Sequence, residues 1–111
     1  MTGHDQSLWQ GLTVIIAARL EIDPGDYSYS LLLDMAAQPS GGARAVSIQF
    51  DGVADLNLRG VGGGLSQIMG LEVETIKDRQ LERLNFRVTD FEHGTIEFLC
   101  RDYKVVREYT T

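Results

Sequence analysis

Hydrophobic and polar residues alternate along most of the chain in short runs. The clearest run spans residues 27–35, in which one face carries Tyr27, Tyr29, Leu31, Leu33 and Met35. A period of two is typical of a β-strand with one buried face and one wet face. Further runs of this kind occupy residues 12–22, 43–50, 53–59, 71–76, 84–90 and 95–103, with a last strand or tail at 104–109. No segment has a convincing helical period.

Turn-forming residues separate these runs. Asp23-Pro24-Gly25-Asp26 predicts a hairpin between residues 12–22 and 27–35, and Asp51-Gly52 favours a tight turn between 43–50 and 53–59. The charged segment 77–83 is a loop or a single helical turn. Connections this short leave no room for crossover helices, so the strands are antiparallel. We therefore predict an all-β fold, a single-domain antiparallel sandwich or barrel of seven to eight short strands.

Size and composition agree with one small globular unit. The chain has 111 residues, which suits one β domain over residues 11–111 after a flexible N-terminal segment, 1–10. No apolar run approaches the roughly 20 residues that span a bilayer. A single cysteine, Cys100, forms no internal disulfide and fits a reducing compartment. We expect a cytoplasmic protein without a membrane partner.

The residues that most often carry chemistry form no catalytic or metal-binding pattern. The glycine-rich segment 60–64 is followed by neither the Lys nor the Ser/Thr of a phosphate-binding P-loop. Cys100 shares an inward face with Ile96 and Phe98, which argues against a nucleophilic pair with His93. The aspartates match no calcium loop. We expect no cofactor, no metal and no catalytic residue.

The net charge is −6, from 16 acidic and 10 basic residues. An acidic surface disfavours nucleic acid and suits a basic partner, although the same charge also serves solubility. Polar residues project from two neighbouring runs. If the glycine-rich segment 60–70 joins them as antiparallel neighbours, Arg59 lies opposite Glu72. The sequence then predicts a partner-binding surface, with a plain solvated sheet face as the alternative; its residues are Asp55, Asn57, Arg59, Gln67, Met69, Glu72 and Glu74.

Three blocks of the chain resemble small bacterial β-rich domains. They are residues 50–59 (Phe50-Asp51-Gly52 to Arg59), 63–68 and 90–98, and the resemblance spans residues 46–101. Some of these domains resemble immunity proteins of polymorphic toxin systems, which are acidic, single-domain and often β-rich. The resemblance implies an inhibitor that binds a basic toxin. It assigns no individual residues to that binding.

Four functional hypotheses follow. The first is a non-enzymatic protein-binding module, of which an inhibitor of the immunity type is one form. The second is a carrier whose interior holds a small ligand, lined by Tyr27, Tyr29, Met35, Phe86 and Phe98. The third is an enzyme whose active site is assembled from residues distant in sequence. The fourth, compatible with the others, is a homodimer that pairs through an edge strand at residues 104–109.

Overall fold

The structure is a computed structural model that describes residues 9–38, 41–59, 71–76, 84–90 and 96–111. It contains eight strands in this part of the chain, two of which contain nine residues. In chain order they are β1 (Val14–Ile22), β2 (Tyr29–Ala36), β3 (Arg44–Asp51), β4 (Ala54–Leu58), β5 (Leu71–Thr75), β6 (Phe86–Asp90), β7 (Ile96–Cys100) and β8 (Asp102–Thr110).

The strands form two antiparallel sheets of four. Sheet A has the order β1-β2-β3-β8, and sheet B has the order β4-β7-β6-β5. Neither sheet closes on itself, so the fold is a sandwich and not a barrel. The prediction of an all-β antiparallel fold is confirmed. The helical turn predicted at 77–83 lies outside the described residues.

The predicted hairpin of β1 and β2 is confirmed, but the residue with a left-handed backbone conformation in its turn is not the glycine. The Asp23 N–H donates to the Ser28 carbonyl and the Tyr27 N–H donates to the Asp23 carbonyl, each at 2.8 Å. The positive φ falls on Tyr27, at 61°, and not on Gly25. The Asp23 carboxylate accepts the Gly25 N–H at 2.8 Å, which holds the loop in a four-residue turn.

A β-bulge near the start of β1 changes which side chains face the core. The register with β2 shifts between Ile15 and Ala17, so Ile16 is the extra residue. The alternation predicts Val14 and Leu20 on one face. Instead Ile15 packs against the core cluster, on the same side as Leu20, because the bulge reverses the alternation between them.

The chain passes from one sheet to the other at a corner where two crossings meet. One crossing is at Gly52, between β3 and β4, and the other is at Arg101, between β7 and β8. The Arg101 N–H donates to the Asp51 carbonyl at 2.8 Å and ties them together. The predicted single strand 95–103 is therefore wrong: it is two strands in different sheets. Likewise Gly52 does not close a hairpin.

Aromatic side chains occupy the middle of the core. Phe50 of sheet A meets Phe98 of sheet B edge to face, with ring centroids 4.9 Å apart. Tyr103 of sheet A meets Phe86 of sheet B in the same way at 5.0 Å. Such pairs add about 0.5–1.5 kcal/mol to the stabilisation from burial alone. They fix the distance between the two sheets.

Trp9 belongs to this core. Its side chain is buried, its ring lies 5.9 Å from that of Tyr103, and its indole N–H donates to the Leu71 carbonyl at 3.2 Å. The flexible N-terminal segment predicted for residues 1–10 thus ends before Trp9. Residues 1–8 lie outside the described ranges, so the flexibility predicted for them stays a prediction.

The aromatic residues proposed to line a ligand cavity do not lie together. Tyr27 is 75% exposed and Tyr29 is 44% exposed, both on the surface near the β1–β2 turn. Met35, Phe86 and Phe98 are buried in the core cluster. The alternation correctly predicts that Met35, Phe86 and Phe98 face the core, but the core does not extend to the end of the hairpin. The five side chains therefore do not form one ligand cavity.

We expect Gly52→Ala to destabilise the protein far more than Gly41→Ala. Both glycines have positive φ, +64° and +88°, so each alanine costs about 1 kcal/mol in backbone strain. At Gly52 the new Cβ would also lie 2.8 Å from the Arg101 Cβ, whereas at Gly41 it would meet nothing within 4 Å. The free energy of unfolding should fall by about 3 kcal/mol for Gly52→Ala.

Urea denaturation followed by Trp9 fluorescence measures both changes. Equal losses for the two variants would show that the two crossings are not closely packed against each other.

Candidate protein-binding surface

The outer face of sheet B is built from two cross-strand rows. In one row Glu74, Arg87 and Leu99 are successive partners across β5, β6 and β7, and Leu99 is paired with Ala54 of β4. In the other row, the successive partners from β5 to β4 are Glu72, Thr89, Glu97 and Asn57. Because side chains alternate along each strand, the two rows share the face turned away from the core.

A groove of about 420 Å³ lies on this side of sheet B. Its polar lining is supplied by residues from all four strands, and its apolar lining comes from β7 and the segments beside β5 and β6. The lining residues are Asp55, Asn57, Glu74, Ile76, Leu84, Arg87, Glu97, Phe98 and Leu99. The lining of the groove thus combines apolar and charged side chains.

The charge of this face is negative. Among the outward-facing described residues of β4 to β7, the carboxylates of Asp55, Glu72, Glu74 and Glu97 accompany one guanidinium, that of Arg87; a further carboxylate of these strands, Asp90, is buried. Arg87 donates a short hydrogen bond to Glu97, its diagonal neighbour on β7. This bond and the charge of Glu97 raise the pKa of the Arg87 guanidinium, and Glu74 adds a smaller contribution. Arg87 therefore stays charged, and one acidic group of the face is already paired.

Asp55 has an unusual backbone conformation. Its φ is 54°, and it lies where the register of β4 against β7 shifts between Ala54 and Asn57. The bulge places two residues of β4 opposite one of β7, which turns the local side chains. Aspartate tolerates the left-handed region better than most residues, but the conformation still carries strain. The result is a carboxylate that lines the groove from an edge strand.

The structure brings together three of the seven predicted site residues. Asp55, Asn57 and Glu74 line the groove, and Glu72 lies on the same face, in the same cross-strand row as Asn57. Gln67 and Met69 lie outside the described residues.

The predicted position of Arg59 opposite Glu72 is wrong. β4 and β5 are the two edges of sheet B, with β7 and β6 between them. Arg59 directly follows β4, so it lies at the edge opposite Glu72 on β5. β4 and β5 are therefore not hairpin partners, whereas the strands that the alternation predicts at both places are confirmed.

Sequence reasoning missed the centre of the surface. Arg87 and Glu97 lie on the two middle strands, β6 and β7, and link the acidic residues of the two edges. A signal was present, because the alternating runs 84–90 and 95–103 are separated by only four residues, which is typical of a hairpin pair. The outward residues of that pair include Arg87 and Glu97. The turn itself lies outside the described residues.

Cys100 is not placed to act as a nucleophile. Cys100 is fully buried, and burial raises the pKa of its thiol to about 12, with further contributions from the charges of Asp102 and Asp51. It is a protonated structural thiol at neutral pH. His93 lies outside the described ranges. Within them, no group of three or more His, Cys, Asp or Glu side chains is placed to hold a metal ion, and no helix is long and apolar enough to cross a membrane.

Comparison with known proteins identifies the family. The family model described as Immunity protein PIM8 matches residues 7–106, which is nearly the whole chain. The protein belongs to the PIM8 immunity protein family. The predicted resemblance to immunity proteins is thereby confirmed. Neither the search of curated proteins nor the search of solved structures found a match.

The PIM8 match includes every strand up to β7 and most of β8. It therefore includes both sheets, the corner at Gly52 and Arg101, and the whole groove. An immunity protein acts by binding, so the surface to consider is one that a protein can reach. The outer face of sheet B meets that requirement, since Asp55, Glu72 and Glu74 are exposed.

We expect Asp55→Gly to be more stable than Asp55→Ala by about 1 kcal/mol, because only glycine adopts a φ of 54° without strain. Both variants lack the carboxylate, so charge cancels in the comparison. The neighbouring pair Asn57→Gly and Asn57→Ala is the control. Asn57 has no positive φ, and alanine should be the more stable there by about 0.5–1 kcal/mol. Urea denaturation gives all four values; the same order at both positions would contradict a strained Asp55.

We expect the protein to lose stability at alkaline pH as the Cys100 thiol is forced to ionise. The folded-state pKa is raised to about 12 from the ordinary 9.0, so the stabilisation is fully present below pH 9 and is lost as the pH rises towards 12. The loss should be about 1 kcal/mol for the first pH unit above 9. Tyr103, whose pKa burial also raises to about 12, adds a loss above pH 10.

Cys100→Ala separates the two contributions. The stability advantage of the native protein over this variant, measured in urea between pH 8 and pH 10, should shrink above pH 9. An advantage that is independent of pH would show that the thiol titrates normally.

Proposed function

We propose that this protein is a non-catalytic immunity protein that neutralises a toxin by binding it through the outer face of sheet B. The observation that carries the proposal is the groove, whose lining combines carboxylates from β4, β5 and β7 with apolar side chains. Membership of the PIM8 family supports the immunity role. The partner that suits this surface is a protein with a basic patch.

The lining of the groove suits lysine and arginine side chains. Their aliphatic stems pack on apolar surface while the charged ends remain polar. Here Leu99 and Ile76 supply the apolar contact, and Glu74 and Asp55 supply acceptors for the cationic end. Arg87 is held by Glu97, so its own charge is partly compensated before a partner arrives.

The overall charge of the chain favours fast association. A net charge of −6 attracts a basic partner over a distance of about 10 Å at moderate salt, and the acidic face orients the encounter. Fast binding matters for an inhibitor that must capture a toxin before it acts. The same argument predicts that salt weakens the complex chiefly by slowing association.

Binding of the toxin should weaken when a groove carboxylate is reversed. We expect Glu74→Lys to raise the dissociation constant about tenfold or more, since it removes an acceptor and adds a cation beside Arg87. The matched control is Glu108→Lys on β8 in sheet A, which changes the net charge equally but lies away from the groove. We expect the control to bind within about twofold of the native protein.

The native protein and both variants serve as baits for lysate of the source organism at low salt, and mass spectrometry identifies a protein retained in stoichiometric amount. Its purified form is then titrated calorimetrically against each variant, and its toxic activity is assayed with and without the native chain. Equal weakening by the two substitutions would reject the groove as the binding surface. Binding without protection would reject the inhibitor role.

A further inference from the structure

The second half of β1 is a regular, unpaired edge of sheet A. Residues 17–22 pair one for one with β2, from Ala17 opposite Asp34 to Ile22 opposite Tyr29. Among the described strands, none pairs with the other side of β1. This edge therefore offers six residues without a bulge for pairing with another strand.

The backbone groups of this edge have a defined direction. At the end of the hairpin the Asp23 N–H donates to the Ser28 carbonyl, so Asp23 turns its backbone groups towards β2. Backbone N–H and C=O groups alternate in direction along an antiparallel strand. Those of Ala18, Leu20 and Ile22 consequently point away from β2, where an added strand can bond them.

The same three residues present an apolar strip that the core leaves uncovered. Leu20 pairs with Leu31 and Ala18 pairs with Leu33, and both β2 residues are buried. Their β1 partners lie on the same side of the sheet, yet Leu20 is 49% exposed and Ile22 is 48% exposed. The core thus stops at β2, and the apolar side of β1 reaches solvent.

The sequence of this edge is complementary to itself. When two copies of β1 pair antiparallel about Leu20, each Arg19 lies directly opposite the partner's Glu21. Each Ala18 lies opposite the partner's Ile22, and the two Leu20 residues face each other. In the single chain Arg19 and Glu21 form an exposed ion pair at 3.1 Å, so both side chains already lie on the face where the new pairs form.

We propose that two copies of this chain form a symmetric dimer by pairing their β1 strands antiparallel about Leu20. Opposite charges at directly opposed positions stabilise such a pairing, and the backbone groups of Ala18, Leu20 and Ile22 complete a continuous eight-stranded sheet. The apolar strips of the two copies become adjacent on the inner side of that sheet. The acidic groove lies on the other sheet, so the dimer does not require the proposed toxin-binding role.

The other three edges are less suited to pairing with themselves. β8, which contains the edge predicted at residues 104–109, has an extra residue, Val106, between its regular pairs with β3. β4 has the bulge at Asp55. On β5, antiparallel pairing about Val73 would set Glu72 against the partner's Glu74, which is repulsive. Bulges and like charges are common protections of exposed edges, and the described residues of β1 beyond Ile16 have neither.

The decisive experiment is charge complementation between two variants. Arg19→Glu sets Glu against Glu across the dimer and Glu21→Arg sets Arg against Arg, so we expect each variant alone to dimerise at least about tenfold more weakly than the native protein. Mixing the two variants restores opposite charges at both positions. The mixture should form a heterodimer of near-native affinity, which the ion pair within one chain cannot explain.

Analytical ultracentrifugation over a concentration series, with one variant fluorescently labelled, measures both effects. A native protein that stays monomeric throughout, or variants that dimerise as well alone as when mixed, would overturn the proposal. Circular dichroism checks that both variants remain folded, as expected for side chains that are 71% and 59% exposed.

Disulfide trapping tests the same geometry without changing charge. Directly opposed residues of a hydrogen-bonded antiparallel pair have Cα atoms about 5.5 Å apart, within the range that a disulfide spans. Leu20→Cys should therefore form a covalent dimer under mild oxidation, and Val106→Cys on β8 is the matched control. The native Cys100 is buried and does not interfere. A covalent dimer through Val106→Cys but not Leu20→Cys would place the contact at β8 and overturn the proposal.

Discussion

The structure depends on the corner at which two strand connections cross between the sheets. Asp51 pairs with Asp102 just before the corner, and Ala54 pairs with Leu99 just after it, so the antiparallel pairing resumes in the same register on the other sheet. The hydrogen bond from the Arg101 N–H to the Asp51 carbonyl joins the two segments of the chain at the bend. A side chain at Gly52 would collide with Arg101 there. One long antiparallel ribbon thus contributes two strands to each sheet and fixes how the sheets face each other.

The position of the acidic face follows from that corner. Because the ribbon brings β7 beside β4, the strands β7 and β6 fill the middle of sheet B and β5 is left at the far edge. The acidic residues of β4 and β5 are then separated by two strands. Arg87 and Glu97 occupy this gap and connect the two sides of the face through their hydrogen bond. The groove is therefore a property of the whole sheet and not of any one strand.

The two sheets differ in how completely they are covered. The aromatic contacts of Phe50 with Phe98 and of Tyr103 with Phe86 pack sheet B against β3 and β8 of sheet A. The buried core reaches β2 but does not cover the second half of β1, where Leu20 and Ile22 are exposed. A sandwich with one short and one long sheet necessarily leaves part of the longer sheet open. The face proposed to bind the toxin and the open edge lie on different sheets, so the two proposed interactions are compatible.

The sequence by itself determined the class of fold, most of the strands and the local character of each face. Alternation has a period that depends only on the extended backbone, and turn residues such as Asp23 and Gly52 mark where it stops, so both features are local. It also placed Asp55, Asn57 and Glu74 on outward faces, and three of its blocks resemble small β-rich domains of the immunity type, with which the PIM8 match agrees. These predictions required no knowledge of which strands are neighbours.

Only the tertiary structure decided strand order, sheet membership and the composition of the groove. Nothing local distinguishes a turn within one sheet from a crossing between two, so the sequence alone predicts a hairpin turn at Gly52 and one strand over 95–103. The order β4-β7-β6-β5 separated Arg59 from Glu72 and brought in Arg87 and Glu97. The bulges at Ile16 and Asp55 likewise change which side chains of β1 and β4 face the core. The position of each bulge depends on pairing with the partner strand. Long-range pairing is a property of the packed chain as a whole, because each strand finds its place through surfaces that distant segments supply.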